Sequence, residues 1–81
     1  MTVKVLFFGQ LREIVGQSEQ SAEVRAGAPI EELFGEFGGK YPRLKEFRAS
    51  LVASRNREFA AWDEQMEPGD EIAFLPPVSG G

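Results

Sequence analysis

The sequence predicts an α+β domain in which one main helix lies across a mixed sheet of about five strands. Three observations carry this reading. A strongly β-prone run, Val3 to Phe8, opens the chain with Lys4 as its only charge. Ile30, Leu33, Phe34, Phe37 and Tyr41 then form one apolar stripe at helical spacing. A final β-prone run, Glu71 to Leu75, is bounded by a Pro68-Gly69 turn and by Pro76-Pro77.

Each element has a local cause. After the first strand, Leu11, Ile14 and Val15 repeat at helical spacing before Gly16, which predicts one or two helical turns closed by a glycine cap. Ser21-Ala22-Glu23-Val24-Arg25 alternates polar and apolar and reads as a second strand, partnered with the first. The main helix opens at Pro29, placed at the first helical position, where a missing N–H costs nothing. Glu31 and Glu32 favour the positive end of its dipole, and Pro42 stops it. Gly35, Gly38 and Gly39 each cost about 1 kcal/mol relative to alanine, so packing must hold this helix, with fraying expected near Gly38-Gly39. Leu44, Phe47 and Leu51 suggest a further short helical turn between Arg43 and Ser50. Leu51 to Arg55 and Glu58 to Trp62 form a hairpin pattern around Asn56-Arg57.

This order, with a terminal strand able to pair in parallel with the first, fits a β-grasp, ubiquitin-like arrangement. Residues 1–75 are expected to form that domain and residues 76–81 an extended tail. Strand alternation assigns the two faces of the sheet. Val3, Val5 and Phe7, with Ile72 and Phe74, should face the helix. Lys4, Leu6 and Phe8, with Glu71, Ala73 and Leu75, should face outward. Leu6, Phe8 and Leu75 would then make an apolar patch beside the root of the tail, with Leu6 open to being covered by a loop. Phe59 is a further candidate whose face the pattern leaves open, and Arg12 is near enough in sequence to supply a rim charge. Exposed apolar clusters of this kind mark binding surfaces.

The 81 residues suffice for a single modest core. Net charge is −4, with no Lys/Arg cluster, which argues against nucleic acid as a partner. No apolar run approaches the roughly 20 residues of a membrane span. The opening residues lack the layout of a signal peptide, so a cytoplasmic address is the expectation.

The chain contains no cysteine and no histidine. That removes the usual zinc and iron–sulfur sites and the Ser-His and Cys-His nucleophile pairs. The carboxylate pairs Glu31-Glu32, Asp63-Glu64 and Asp70-Glu71 are adjacent residues that do not face each other on either element, so all three read as solvated surface. No side chain looks like a catalyst, and no metal site is expected.

What remains is the ending, Pro76-Pro77-Val78-Ser79-Gly80-Gly81. Two glycines alone say little, since nine of the 81 residues are glycine. Here, however, the tail follows a strand directly, with no floppy linker between. Extended, the segment reaches roughly 20 Å at about 3.3 Å per residue, enough to enter a neighbour's active site. A carboxylate on glycine has no Cβ to obstruct an approaching electrophile, which makes Gly81 the candidate reactive group.

Two blocks carry a family resemblance. Val3 to Glu13 (VKVLFFGQLRE) and Pro68 to Gly81 (PGDEIAFLPPVSGG) resemble the small subunit of molybdopterin synthase, across essentially the whole chain. Asn56 also sits where that family carries an asparagine at its hairpin, whereas the three helix glycines are more than the family usually has. The resemblance implies that an adenylating, E1-like activating enzyme uses ATP to convert Gly81 to an acyl-adenylate. A sulfur donor then displaces AMP to leave a thiocarboxylate. The loaded tail, Pro76, Pro77, Val78, Ser79 and Gly80, enters the large synthase subunit and delivers sulfur to a pterin precursor. No permanently bound cofactor is implied. It also implies Phe8, Arg12, Phe59 and Leu75 as the partner-binding residues. Three alternatives stay open: a related carrier for thiazole synthesis or tRNA thiolation, a ubiquitin-like modifier of lysines, and a plain interaction domain.

Overall fold

The computed structural model describes residues 1–76. Among those residues, five strands form one sheet: β1 (Thr2–Phe7), β2 (Glu19–Glu23), β3 (Val52–Arg55), β4 (Glu58–Ala60) and β5 (Glu71–Leu75). Their order is β2-β1-β5-β3-β4. β1 and β5 run parallel at the centre, with Val5 opposite Ile72 and Phe7 opposite Phe74, while the other neighbours are antiparallel. Helices α1 (Gly9–Val15) and α2 (Ile30–Lys40) and a 3₁₀ segment, Pro42–Ser50, complete the order. This is the β-grasp topology that the sequence predicts.

The core follows from strand alternation meeting helix periodicity. Val3, Val5, Phe7, Ala53, Ile72 and Phe74 are buried on one face of the sheet. Ile30, Leu33, Phe34 and Phe37 close over them from α2. Aromatic rings fill the middle: Phe7 meets Phe37 edge-on at 5.0 Å, and Phe34 meets Phe74 edge-on at 5.1 Å. Trp62 stacks on Phe74 at 5.8 Å and is itself covered by the Arg48 guanidinium at 3.6 Å. Such pairs add about 0.5–1.5 kcal/mol each beyond the area they bury.

Several boundaries differ from the sequence reading, each for a tertiary reason. Trp62 leaves the β4 pairing because its ring stacks on the core. The loop that carries it caps α2: Ile30 N–H donates to the Glu64 carbonyl at 3.0 Å and Glu31 N–H to the Trp62 carbonyl at 2.9 Å. Those bonds satisfy donors that a helix start otherwise leaves orphaned, and Pro29 takes the extended capping position just before the helix (φ −76°, ψ 157°). α2 also does not fray at Gly38-Gly39. It continues to Lys40 because Gly38 is buried beneath Lys45, where a Cβ would come within 3.1 Å of Lys45 Cγ. β2 lies two residues earlier than Ser21–Arg25. Its register places Glu19 opposite Leu6 and Gln20 opposite Val5, a pairing made by backbone rather than by β-prone side chains.

Gly16 closes α1 in the left-handed conformation (φ 85°), its N–H returning to the Arg12 carbonyl. The β3–β4 hairpin turns at Asn56 (φ 52°) and Arg57 (φ 70°), the double positive-φ geometry of a tight hairpin.

Candidate functional site

The face of the sheet away from α2 is open, and register fixes who stands on it. One row runs Leu6, Ala73, Ser54, Phe59 across β1, β5, β3 and β4, and the next brings Val52 beside Leu75. Phe8, the residue after β1, joins Leu6, Ala73, Ser54, Phe59 and Leu75 in lining a shallow cleft of about 820 Å³. Phe59 is 82% exposed and Phe8 44%. Leu6 and Leu75 are half-buried. Among the described residues, no loop covers Leu6 completely.

Ala73 is the exception among the outward residues. It stands on the outer face but is buried, as is Ser54 beside it. The two small residues make the floor of the cleft, overhung by their larger neighbours. Val52, 43% exposed, belongs to the patch and escaped the sequence reading. The alternation of β3 could have found it once Ala53 was placed in the core. Arg12 is exposed on α1 and is not among the side chains lining the cleft. The charges there come from Lys4 and Arg57, ion-paired with Glu19 at 3.9 Å and Glu71 at 3.5 Å, and from Glu58. Exposed pairs of this kind are weak and can be exchanged for a partner's charges.

A polar lock holds the edge of this face. Asp70 is buried, which corrects its reading as solvated surface. Its carboxylate accepts hydrogen bonds from Arg55 Nε (2.6 Å), Asn56 Nδ2 (3.0 Å) and the Glu67 N–H (2.7 Å). Asn56 Oδ1 accepts in turn from the Glu71 N–H at 3.0 Å. Arg55 also reaches Glu64 at 3.1 Å and Glu67 at 3.4 Å. Burial pushes the Asp70 carboxyl up, but the bonds from Asn56, Glu67 and Arg55 outweigh it and hold the group below its ordinary value. The lock fastens the β3–β4 turn to the start of β5, and so fixes the strand that leads into the tail.

At the other end of β5, Leu75 and Pro76 are half-buried. Pro76 packs at the β1–α1 corner, where a Cβ on Gly9 would come within 3.3 Å of its ring. Pro77, Val78, Ser79, Gly80 and Gly81, the rest of the proposed tail, lie outside the described residues. Among the described residues no three His, Cys, Asp or Glu side chains are grouped to hold a metal ion. No described helix is long and apolar enough to cross a membrane.

Comparison with known proteins agrees with this geometry. Residues 5–81 match the ThiS family. The molybdopterin synthase sulfur carrier subunit of Chlamydomonas reinhardtii is 36% identical over 83 residues, covering 100% of both chains. Among solved structures, SAMP1 from Haloferax volcanii superposes with a TM-score of 0.84 at 29% identity, again over 100% of both chains. A chain from the complex of subunits 1 and 2 of molybdopterin-converting factor from Helicobacter pylori superposes with a TM-score of 0.70 at 26% identity, over 100% of both chains.

Proposed function

This chain is a member of the ThiS family, and on that premise we propose that it is the sulfur carrier subunit of a molybdopterin synthase, acting in the cytoplasm. The single observation that carries the reading is the full-length similarity to a chain of that name, 36% identical end to end. The apolar face of the sheet supports it, because a carrier must dock before its tail can be used. Residues 1–75 are the docking body and residues 76–81 the tail.

The chemistry follows from what the chain has and lacks. A carboxylate is a poor acyl donor until it carries a good leaving group. An adenylating enzyme supplies one: the Gly81 carboxylate attacks the α-phosphate of ATP and releases pyrophosphate. A sulfur nucleophile then adds to the acyl carbon and expels AMP. Sulfide gives the thiocarboxylate directly, whereas a persulfide leaves an acyl disulfide that a second thiol cleaves, giving the thiocarboxylate and a new disulfide on the donor side. With no cysteine in the chain, no internal thiol competes for the activated acyl group. The large subunit then receives the loaded tail. A partner of this kind is supported by the Helicobacter pylori complex, which joins subunits 1 and 2 of a molybdopterin-converting factor.

A second reading has its own observation. The small archaeal modifier protein from Methanosarcina acetivorans is 28% identical with a TM-score of 0.83, so the same activated tail would suit transfer to lysines. The two readings share the activation step and differ in the acceptor. Incubation with the activating enzyme, ATP and a sulfur source, followed by intact-mass analysis, tests the first. Exchange of one oxygen for sulfur is the expected result, and isopeptide-linked conjugates without that exchange would favour the second.

A further inference from the structure

We infer that Gly9 is a positioning residue for the tail, acting through Pro76. Two independent features of the described residues meet there. Gly9 has φ +56°, in the left-handed region that side chains other than asparagine, aspartate and histidine rarely adopt. A Cβ at this position would also lie 3.3 Å from Pro76 Cγ, tight enough that the ring would have to give by a few tenths of an ångström. The corner between β1 and α1 is therefore shaped as a seat for the proline that begins the tail.

The seat matters because Pro76 is stiff. Its own ring fixes φ, and the following proline confines its ψ to the extended region. The direction in which the chain leaves β5 is thus set by where the Pro76 ring rests, and the ring lies in the space that a side chain on Gly9 would crowd. A shift of a few tenths of an ångström at Pro76, pivoting at Leu75, would grow to roughly 1 Å at a group held about 16 Å further on. Displacements of that size at a reacting group can cost on the order of a hundredfold in rate. Docking by Phe59 would be untouched, since its side chain stands on β4, away from the seat.

This inference rests on the carrier reading, and its test separates the two. Gly9→Asn keeps a residue tolerant of positive φ but puts a Cβ under the proline ring, and Pro76→Gly removes the ring instead. Each full-length variant is assayed by ATP–pyrophosphate exchange with the activating enzyme, over a range of carrier concentrations. Each should lower kcat roughly tenfold or more while KM stays within about twofold. The double variant should be no worse than the more affected single variant, because without the proline ring the added Cβ has nothing to displace. Unchanged kcat in both variants, or losses that simply multiply in the double variant, would overturn the inference while leaving the carrier reading intact. A loss confined to KM would also overturn it. If Gly9→Asn does not fold, Pro76→Gly decides alone, and wild-type kcat there rejects the seat. Absence of exchange with the wild-type chain would remove the carrier reading, and the inference with it.

Discussion

Truncating Phe59 to alanine removes the most exposed of the large apolar side chains among the described residues, and its cost can be worked from the structure. A phenylalanine buries roughly 200 Å² in full. At 82% exposed, Phe59 has on the order of 160 Å² still to bury, worth up to about 4 kcal/mol at about 25 cal/mol per Å². Phe8, at 44% exposed, has roughly 90 Å² and up to about 2 kcal/mol. Ordering and desolvation costs take a large share of such gains, so about half should be realised. Phe59→Ala should therefore weaken binding to the large subunit by about 2 kcal/mol, near thirtyfold in Kd, and Phe8→Ala by about 1 kcal/mol, near fivefold. Isothermal titration calorimetry at fixed salt measures both. Urea unfolding of Phe59→Ala should shift by less than about 0.5 kcal/mol, because an exposed side chain contributes little to the fold. Wild-type affinity in Phe59→Ala, or a larger loss from Phe8→Ala than from Phe59→Ala, would refute the reasoning from exposed area.

Other expectations concern stability and the tail. Because the folded Asp70 carboxyl is held below its ordinary value, it adds stability that is fully present above its unfolded pKa and lost as pH falls through the folded one. Asp70→Asn should cost about 2 kcal/mol at neutral pH and flatten the loss of stability below about pH 4. Parallel acid limbs for the variant and the wild type in a urea series would argue against the lock. In α2, a Cβ on Gly35 or Gly39 meets nothing within 4 Å, so Gly35→Ala should stabilise by up to about 1 kcal/mol and Gly39→Ala, near the helix end, by less. Gly38→Ala should gain less than Gly35→Ala because Lys45 lies 3.1 Å from the new methyl; equal gains in urea unfolding would show that the contact yields freely. Gly80→Val should abolish adenylation by the activating enzyme while leaving the melting temperature unchanged, and normal pyrophosphate exchange would make the glycine incidental.

The parts legible in the sequence are those where one local pattern suffices. The α2 stripe and the alternation of β1 and β5 placed the core face from spacing alone, since each apolar residue there has a single buried side available. The features that escaped depend on partners distant in the chain. β2 begins at Glu19 because backbone pairing with Leu6 recruits it, not because glutamate prefers a strand. Asp70 reads as surface until Arg55 and Asn56, brought beside it by the β3–β5 pairing, supply its donors. Ala73 has the outward position expected of it, yet larger neighbours cover it, and alternation says nothing about overhang. In the candidate site, Phe8 and Leu75 could be placed from strand parity. Phe59 needed the β3–β4 register, and Val52 needed Ala53 to be placed in the core.

The central claim is that this chain carries sulfur as a thiocarboxylate on Gly81. Its most direct test is fragmentation mass spectrometry of the intact protein purified from cells making molybdenum cofactor. The account predicts one oxygen replaced by sulfur, with every fragment that retains Gly81 shifted and every fragment that lacks it unshifted. Added sulfur on any other residue, or a fully oxygenated Gly81 in cells where the synthase is turning over, would contradict it.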